Sequence, residues 1–320
     1  MRTRARWFQV AALAAFSAAP LLADGSCWLR DAASPDKATV YALCEQGILW
    51  VTTDGGVKWT SRSVGAPVPL RAMSFSDAVH GIAVGDGGTV LATADGGKSW
   101  TPRTSGTTEK LIDVAFAGNE GWASGMNGTI IHSGDGGGTW ATQKTGTSQA
   151  LEGLFFLDAQ HGWAVGWAGT ILRTTDGGRN WQPVKADDAQ WSLSAVYFKD
   201  EKVGWAVGFA GQILQSSDGG AKWKLVQSPA KGWLTSIAFD KANHGWITYD
   251  DGFLTTEDGG ATWKAVNTDG RYFLSRLLPM GDSLWAVGQS VILQQTGKQW
   301  KRIETLVPNA TMREAAAIAK

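Results

Sequence analysis

Two cysteines, nine prolines, four histidines and no surplus of either charge mark what this 320-residue chain does without. Its 29 Lys plus Arg balance 29 Asp plus Glu, so it lacks the basic excess with which a nucleic-acid binder displaces counterions from phosphates, and no nucleic-acid partner is expected. Charged residues make up 18% of the chain, where about 25% is usual. The few histidines and cysteines show no close His/Cys/carboxylate spacing for a metal, and nothing resembles a phosphate loop or a nucleophile elbow, so neither metal nor cofactor is expected. What is abundant is glycine and tryptophan, 41 and 18 residues. Glycine at about 13% against a usual 7%, with so much Trp and so little Pro, excludes a helical bundle, a collagen and a disordered tail. A turn-rich β protein remains, and the periodicity of its glycines decides which kind.

Residues 1–23 read as a signal peptide. Arg2, Arg4 and Arg6 precede an apolar run from Trp7 to Leu22 that ends in small residues around Ala23, and the run is shorter than the ~20 residues that span a bilayer. Export makes Cys27 and Cys44 candidates for one disulfide. If Ser34-Pro35-Asp36-Lys37 forms a turn, Cys27 falls directly opposite Cys44 on the first hairpin.

The sequence D-G-G-x-x-W recurs six times, opening at Asp54, Asp95, Asp135, Asp176, Asp218 and Asp258 with steps of 41, 40, 41, 42 and 40 residues. A worn seventh copy runs from Gln295 to Trp300. A period of ~40 to 45 residues points to four-stranded propeller blades. Blade 4 shows the unit best, with strands expected at Leu151–Phe156, His161–Gly166, Thr170–Thr174 and Trp181–Lys185. The expected fold is therefore all-β, a seven-bladed β-propeller of four-stranded antiparallel blades over residues 24–308. Residues 299–306 supply its last outer strand, and a C-terminal tail covers 309–320. Blade 1 is irregular, because no L-x-x-V-x-F run precedes Ala38.

The box has a mechanical reason. Its Asp accepts backbone N–H groups within the turn, and its Gly pair takes positive φ where other residues are strained. The Trp that follows opens strand four and packs between neighbouring sheets, as do Trp122, Trp163, Trp205, Trp246 and Trp285 of strand two. These aromatics and the six box Asp residues are structural.

The DGGxxW box, the GWAVG strand and the G-T-I-L-x-T approach to the box resemble the Ycf48/HCF136 family of photosystem II stability and assembly factors, over residues 38–300. The box alone is similar to the Asp-box (BNR) turn of sialidases and other propellers. The family resemblance implies a non-enzymatic propeller of the periplasm or thylakoid lumen that holds a membrane-protein precursor, the photosystem II reaction centre in a photosynthetic host. It also implies a basic strip on the partner face, one place for which is the I-L-R-[ST]-x-D-G-G stretch. Here Arg173 alone fills it. Val51, Ala92, His132, Gln215 and Thr255 stand at the matching positions.

Other chemistry finds little support. A sialidase needs an Arg triad and a Tyr nucleophile, yet Tyr41, Tyr197 and Tyr249 lie in or beside expected strands and Tyr272 has no partner motif. His80, His161 and His244 share one repeat position in blades 2, 4 and 6 and cannot converge on an ion. The aromatics outside the repeat are more informative. Met126, Trp167 and Phe209 occupy the two-to-three loop of blades 3, 4 and 5, while Trp191, Trp233 and Tyr272 precede strand one of blades 5, 6 and 7. All are expected on the face opposite the boxes, with Lys231, Arg271 and Arg276 nearby. Two readings stand side by side, an exposed partner-binding surface or a plug folded into the channel mouth. The alternative function is a sialidase-like or carbohydrate-binding envelope propeller that uses the aromatics to stack on sugars. A monomer is expected.

Overall fold

The computed structural model describes residues 27–303 apart from 37, 187–188, 251, 268–271, 281–282 and 298. The expected signal peptide, the C-terminal tail and Arg271 lie outside the described residues.

The second strands, such as Gly162–Gly166, are short apolar runs buried throughout, and the outer strands, such as Thr60–Ser63, are polar and mostly exposed. The strands assemble into seven antiparallel sheets, each of four consecutive strands. The blades occupy residues 29–63, 70–103, 111–143, 151–183, 193–226, 234–267 and 274–302. The first strands of successive blades lie side by side around the ring, and Leu29–Ala33 of blade 1 packs beside Leu274–Met280 of blade 7. The chain is thus a seven-bladed propeller. In blade 4 the strands run Leu151–Phe156, Gly162–Gly166, Ile171–Thr174 and Gln182–Pro183. The outer strand is shorter than expected because Trp181 turns inward and Pro183 has no N–H to donate. The last outer strand is Gln299–Arg302, and residues beyond 303 lie outside the described range.

One device joins the blades. The large strand-two side chain of a blade seats on the box of the next. Trp122 Nε1 donates to the Gly177 carbonyl at 3.0 Å, Trp163 Nε1 to that of Gly219 at 3.0 Å, and the Tyr41 hydroxyl to that of Gly96 at 2.8 Å. Each ring also stacks on the last Phe of the next blade's first strand, with centroids 3.5 Å apart for Trp122 and Phe156 and 3.6 Å for Trp163 and Phe198. The box Trp closes the sandwich edge-on, as Trp181 does against Phe156. Within the box, Asp135 Oδ1 accepts the Thr139 N–H and the Ser133 hydroxyl, and Ser133 Oγ accepts the Gly137 N–H.

The ring closes without a shared strand. Blade 1 carries Ser34 where blades 2 to 6 carry Phe, and its box Trp59 meets Trp285 of blade 7 directly, at 5.9 Å between centroids. Residues 27–28 bridge to the blade 7 turn: Cys27 and Ser290 exchange hydrogen bonds, and Trp28 pairs with Gln289. Cys27 is joined to Cys44 by a disulfide with Cα atoms 5.7 Å apart. Ala33 pairs with Tyr41, so the first hairpin turns later than Ser34–Lys37, and past a bulge Leu29 rather than Cys27 stands opposite Cys44.

Candidate functional site

Boxes join strands three and four, so they share one face with the strand-one-to-two turns. There His80, His161 and His244 cap Asp77, Asp158 and Asp240 through Nδ1. The opposite face collects the two-to-three turns and the four-to-one loops. Backbone bonds hold these together: the first residue of the turn donates its N–H to the carbonyl just before strand one, Trp167 to Ala150 and Phe209 to Ser192, each at 2.9 Å. The turns of blades 4 and 5 place alanines in left-handed backbone, Ala168 at φ 52 and Ala210 at φ 57. That conformation costs an L-residue roughly 1–2 kcal/mol, and here it aims Trp167 and Phe209 outward. Gly169 follows because a Cβ there would lie 2.1 Å from the Ala189 carbonyl oxygen.

An aromatic arc results. Trp167 is 45% exposed, Phe209 50%, Trp191 50% and Trp233 39%. Trp191 packs against Phe209 at 6.0 Å, while Trp233 meets Phe273 edge-on at 5.8 Å and Phe273 meets Trp28 at 5.5 Å. The indole N–H groups are anchored to the second residue of the inner strands: Trp167 to Glu152 Oε1 and Trp233 to Ser194 Oγ, both at 2.6 Å, and Trp28 to Ser275 Oγ at 3.2 Å. The rings are fixed at the mouth by their edges and still present their faces to solvent.

The arc differs in membership from the sequence expectation. Met126 is half-buried at its blade 3 end. Tyr272 turns away toward the outer strand of blade 7, where the Arg302 guanidinium lies 5.9 Å from its ring, and Phe273 takes its place. Phe273 and Trp28 were missed, although alignment of each inner strand on its leading Leu puts both in the register of Trp233. Arg173 lies on the other side of the molecule, with its guanidinium by Gly219 of the blade 5 box. Lys231 is exposed at the rim. Tyr41 and Tyr249 are buried in the blade cores, which withdraws them from a nucleophile's role.

Blades 1 to 3 complete the mouth with ions. Arg30 pairs with Glu45 and lies 4.0 Å over Trp28. Arg71 bridges Glu45 and Asp86, at 3.2 and 2.8 Å, and Lys110 stands 3.8 Å from Asp86. The face therefore has an ionic half and an aromatic half.

One step down the channel, at the third residue of the inner strands, Arg276 reaches from blade 7 to Asp31 of blade 1 at 3.0 Å and Asp113 of blade 3 at 3.7 Å. Arg276 is thus not a free cation of the partner surface. Asp31 also accepts the Met73 N–H, and Asp113 that of Leu154, so each carboxylate latches its blade to the next. Burial lifts the Asp31 carboxyl to about 6 against the pull of the guanidinium, and Asp113 adds to the rise. Burial raises Asp113 as well, with Arg276 opposing it.

These groups set a pH dependence. Asp31 titrates higher folded than unfolded, so its ionised form costs stability above pH 6, and the fold gains as pH falls from 7 toward 4. The box acids act the other way. The Thr139 backbone N–H holds Asp135 at about 2, and the Thr262 hydroxyl does the same for Asp258; their contribution is lost as pH falls from about 4 to 2. The urea midpoint is therefore expected to peak between about pH 4 and 5. A midpoint that declines steadily from pH 7 contradicts the assignment.

A family model described as photosynthesis system II assembly factor YCF48 matches the sequence three times, over residues 66–153, 138–232 and 221–310, well over half of the chain. No curated protein matches. Among solved structures, YCF48 bound to D1 peptide is 21% identical with a TM-score of 0.69, covering 84% of this chain and 91% of that one. YCF48 from Cyanidioschyzon merolae is 23% identical with a TM-score of 0.60, covering 75% and 86%. The WD40 propeller domain of Doa1 is 10% identical with a TM-score of 0.70, covering 84% and 92%. At these identities the likeness to the structures is one of fold.

Proposed function

Because the chain belongs to the photosystem II assembly factor YCF48 family, we propose that it is a non-catalytic scaffold that holds an extended segment of a membrane-protein precursor on the face opposite its boxes. The observation that carries this reading is the anchored yet exposed indole arc. Rings already fixed in place lose little side-chain entropy on binding, and clustered Trp is the usual content of an interface hot spot. The related structure with a bound D1 peptide supports a polypeptide partner, the reaction centre of photosystem II if the host is photosynthetic. The arginine-led apolar segment at residues 1–23 and the Cys27–Cys44 disulfide support export to a periplasm or thylakoid lumen.

Capture from the membranes of the native host tests this, with the tethered wild-type chain against Trp167→Ala/Trp233→Ala. The wild type is expected to recover a membrane-protein precursor at least about tenfold more strongly, while the thermal midpoints of the two chains stay within a few degrees, as ~1 kcal/mol at a part-exposed surface site implies. Equal recovery, or a large loss of thermal stability with no change in recovery, would sink the proposal.

A further inference from the structure

Charge is distributed unevenly around the mouth. At the second position of the inner strands, blades 1 and 2 carry Arg30 and Arg71, both held by carboxylates. Blade 4 carries Glu152, while the remaining blades carry Ile112, Ser194, Thr235 and Ser275. Glu152 is half-buried, and among the described residues no cation pairs with it. Its Oε1 accepts the Trp167 indole, and no described donor reaches Oε2. Burial raises its carboxyl above the usual range, with the indole hydrogen bond only opposing this. A carboxylate partly withdrawn from water and lacking a counter-charge gains from a cation brought to it. Trp167, whose N–H it accepts, is 45% exposed beside it, and an indole face is the best aromatic partner for a guanidinium or ammonium group.

We infer that Glu152 and the Trp167 ring form a receptor for one basic side chain, Lys or Arg, of the bound polypeptide. The inference rests on the scaffold reading and deepens it. The stem of the incoming side chain lies across Trp167, and its charged end meets Oε2 of Glu152. Glu45 and Asp86 on the neighbouring blades are already matched by Arg30, Arg71 and Lys110. The basic group therefore settles at blade 4, which sets its position along the segment.

A displayed library of random twelve-residue peptides, selected on the full chain, tests the inference. The wild type is expected to enrich peptides with Lys or Arg at one fixed spacing from apolar or aromatic residues. Replacing that basic residue by norleucine in a synthetic copy should weaken binding about tenfold. Glu152→Gln keeps the acceptor for the Trp167 N–H, so the mouth stays assembled, and it should lose the basic preference. Glu152→Lys should turn the preference toward Asp and Glu. Thermal midpoints close to wild type for both variants exclude misfolding as the cause. Enriched peptides without a basic position, or an unchanged preference with Glu152→Gln, overturn the receptor and leave the scaffold reading standing. No enrichment at all by the wild type overturns both.

Discussion

Gly220→Ala is expected to destabilise the chain by about 4 kcal/mol, from roughly 1–2 for left-handed backbone and 1–3 for overpacking. Gly220 has φ +84, and a Cβ there would stand 2.5 Å from Nε1 of Trp163, the blade 4 indole that seats on this box. That indole is 1% exposed and stacked on Phe198, so it has nowhere to move. Gly55 of the first box is the control, because its φ is +70 with nothing within 4 Å of a Cβ. Gly55→Ala should show the backbone cost alone. Adding Trp163→Phe to Gly220→Ala shrinks the intruding ring and should give a smaller loss than the sum of the single changes. Urea unfolding checks all four chains, and an equal loss for the two alanine variants contradicts the seating of Trp163 on the box.

Arg276→Met is expected to cost about 3 kcal/mol at pH 7.5. Removing one partner of a buried ionic group leaves uncompensated charge and typically costs 3–5 kcal/mol. The low end applies because the Arg276 side chain is 35% exposed and water screens it. The loss should shrink as pH falls below about 6, since Asp31 then takes up a proton and needs its guanidinium less. Asp31→Asn placed on Arg276→Met should recover part of the stability at pH 7.5 and little at pH 4.5. A penalty that does not change with pH would show that Arg276 acts by packing alone.

The propeller was legible because the box is a local machine. Asp135 and its partners Ser133, Gly137 and Thr139 lie within seven residues, so each blade writes the same short string. Interactions between blades leave no such string. Arg276, Asp31 and Asp113 are far apart in sequence, and only alignment of the inner strands on their leading Leu shows three charges at a position where Ala72, Gly153, Ala195 and Ser236 are neutral. The aromatic arc was half legible. Trp167, Phe209, Trp191 and Trp233 stood out because the repeat did not need them. A one-residue offset gave Tyr272 the place that Phe273 fills, and the missing Phe of blade 1 hid Trp28. Arg173 was assigned to the partner face on a motif that the fold puts beside a box. The seam could not be read at all, since Ser34 breaks the pattern where the ring meets itself.

The seam also decides how the molecule carries mechanical load. With every blade made of four consecutive strands and none shared across the join, opposed pulls on residues 27 and 303 load the Cys27–Ser290 and Trp28–Gln289 backbone pairings together with the side-chain contacts between blades 1 and 7. Past that point the blades come away singly, each paying out about 40 residues, or roughly 140 Å of extended chain. The Cys27–Cys44 bond alters the first step. It passes the pull at residue 27 straight to the second strand of blade 1, so the innermost strand, with its Asp31 latch, is relieved of tension until that sheet as a whole gives way.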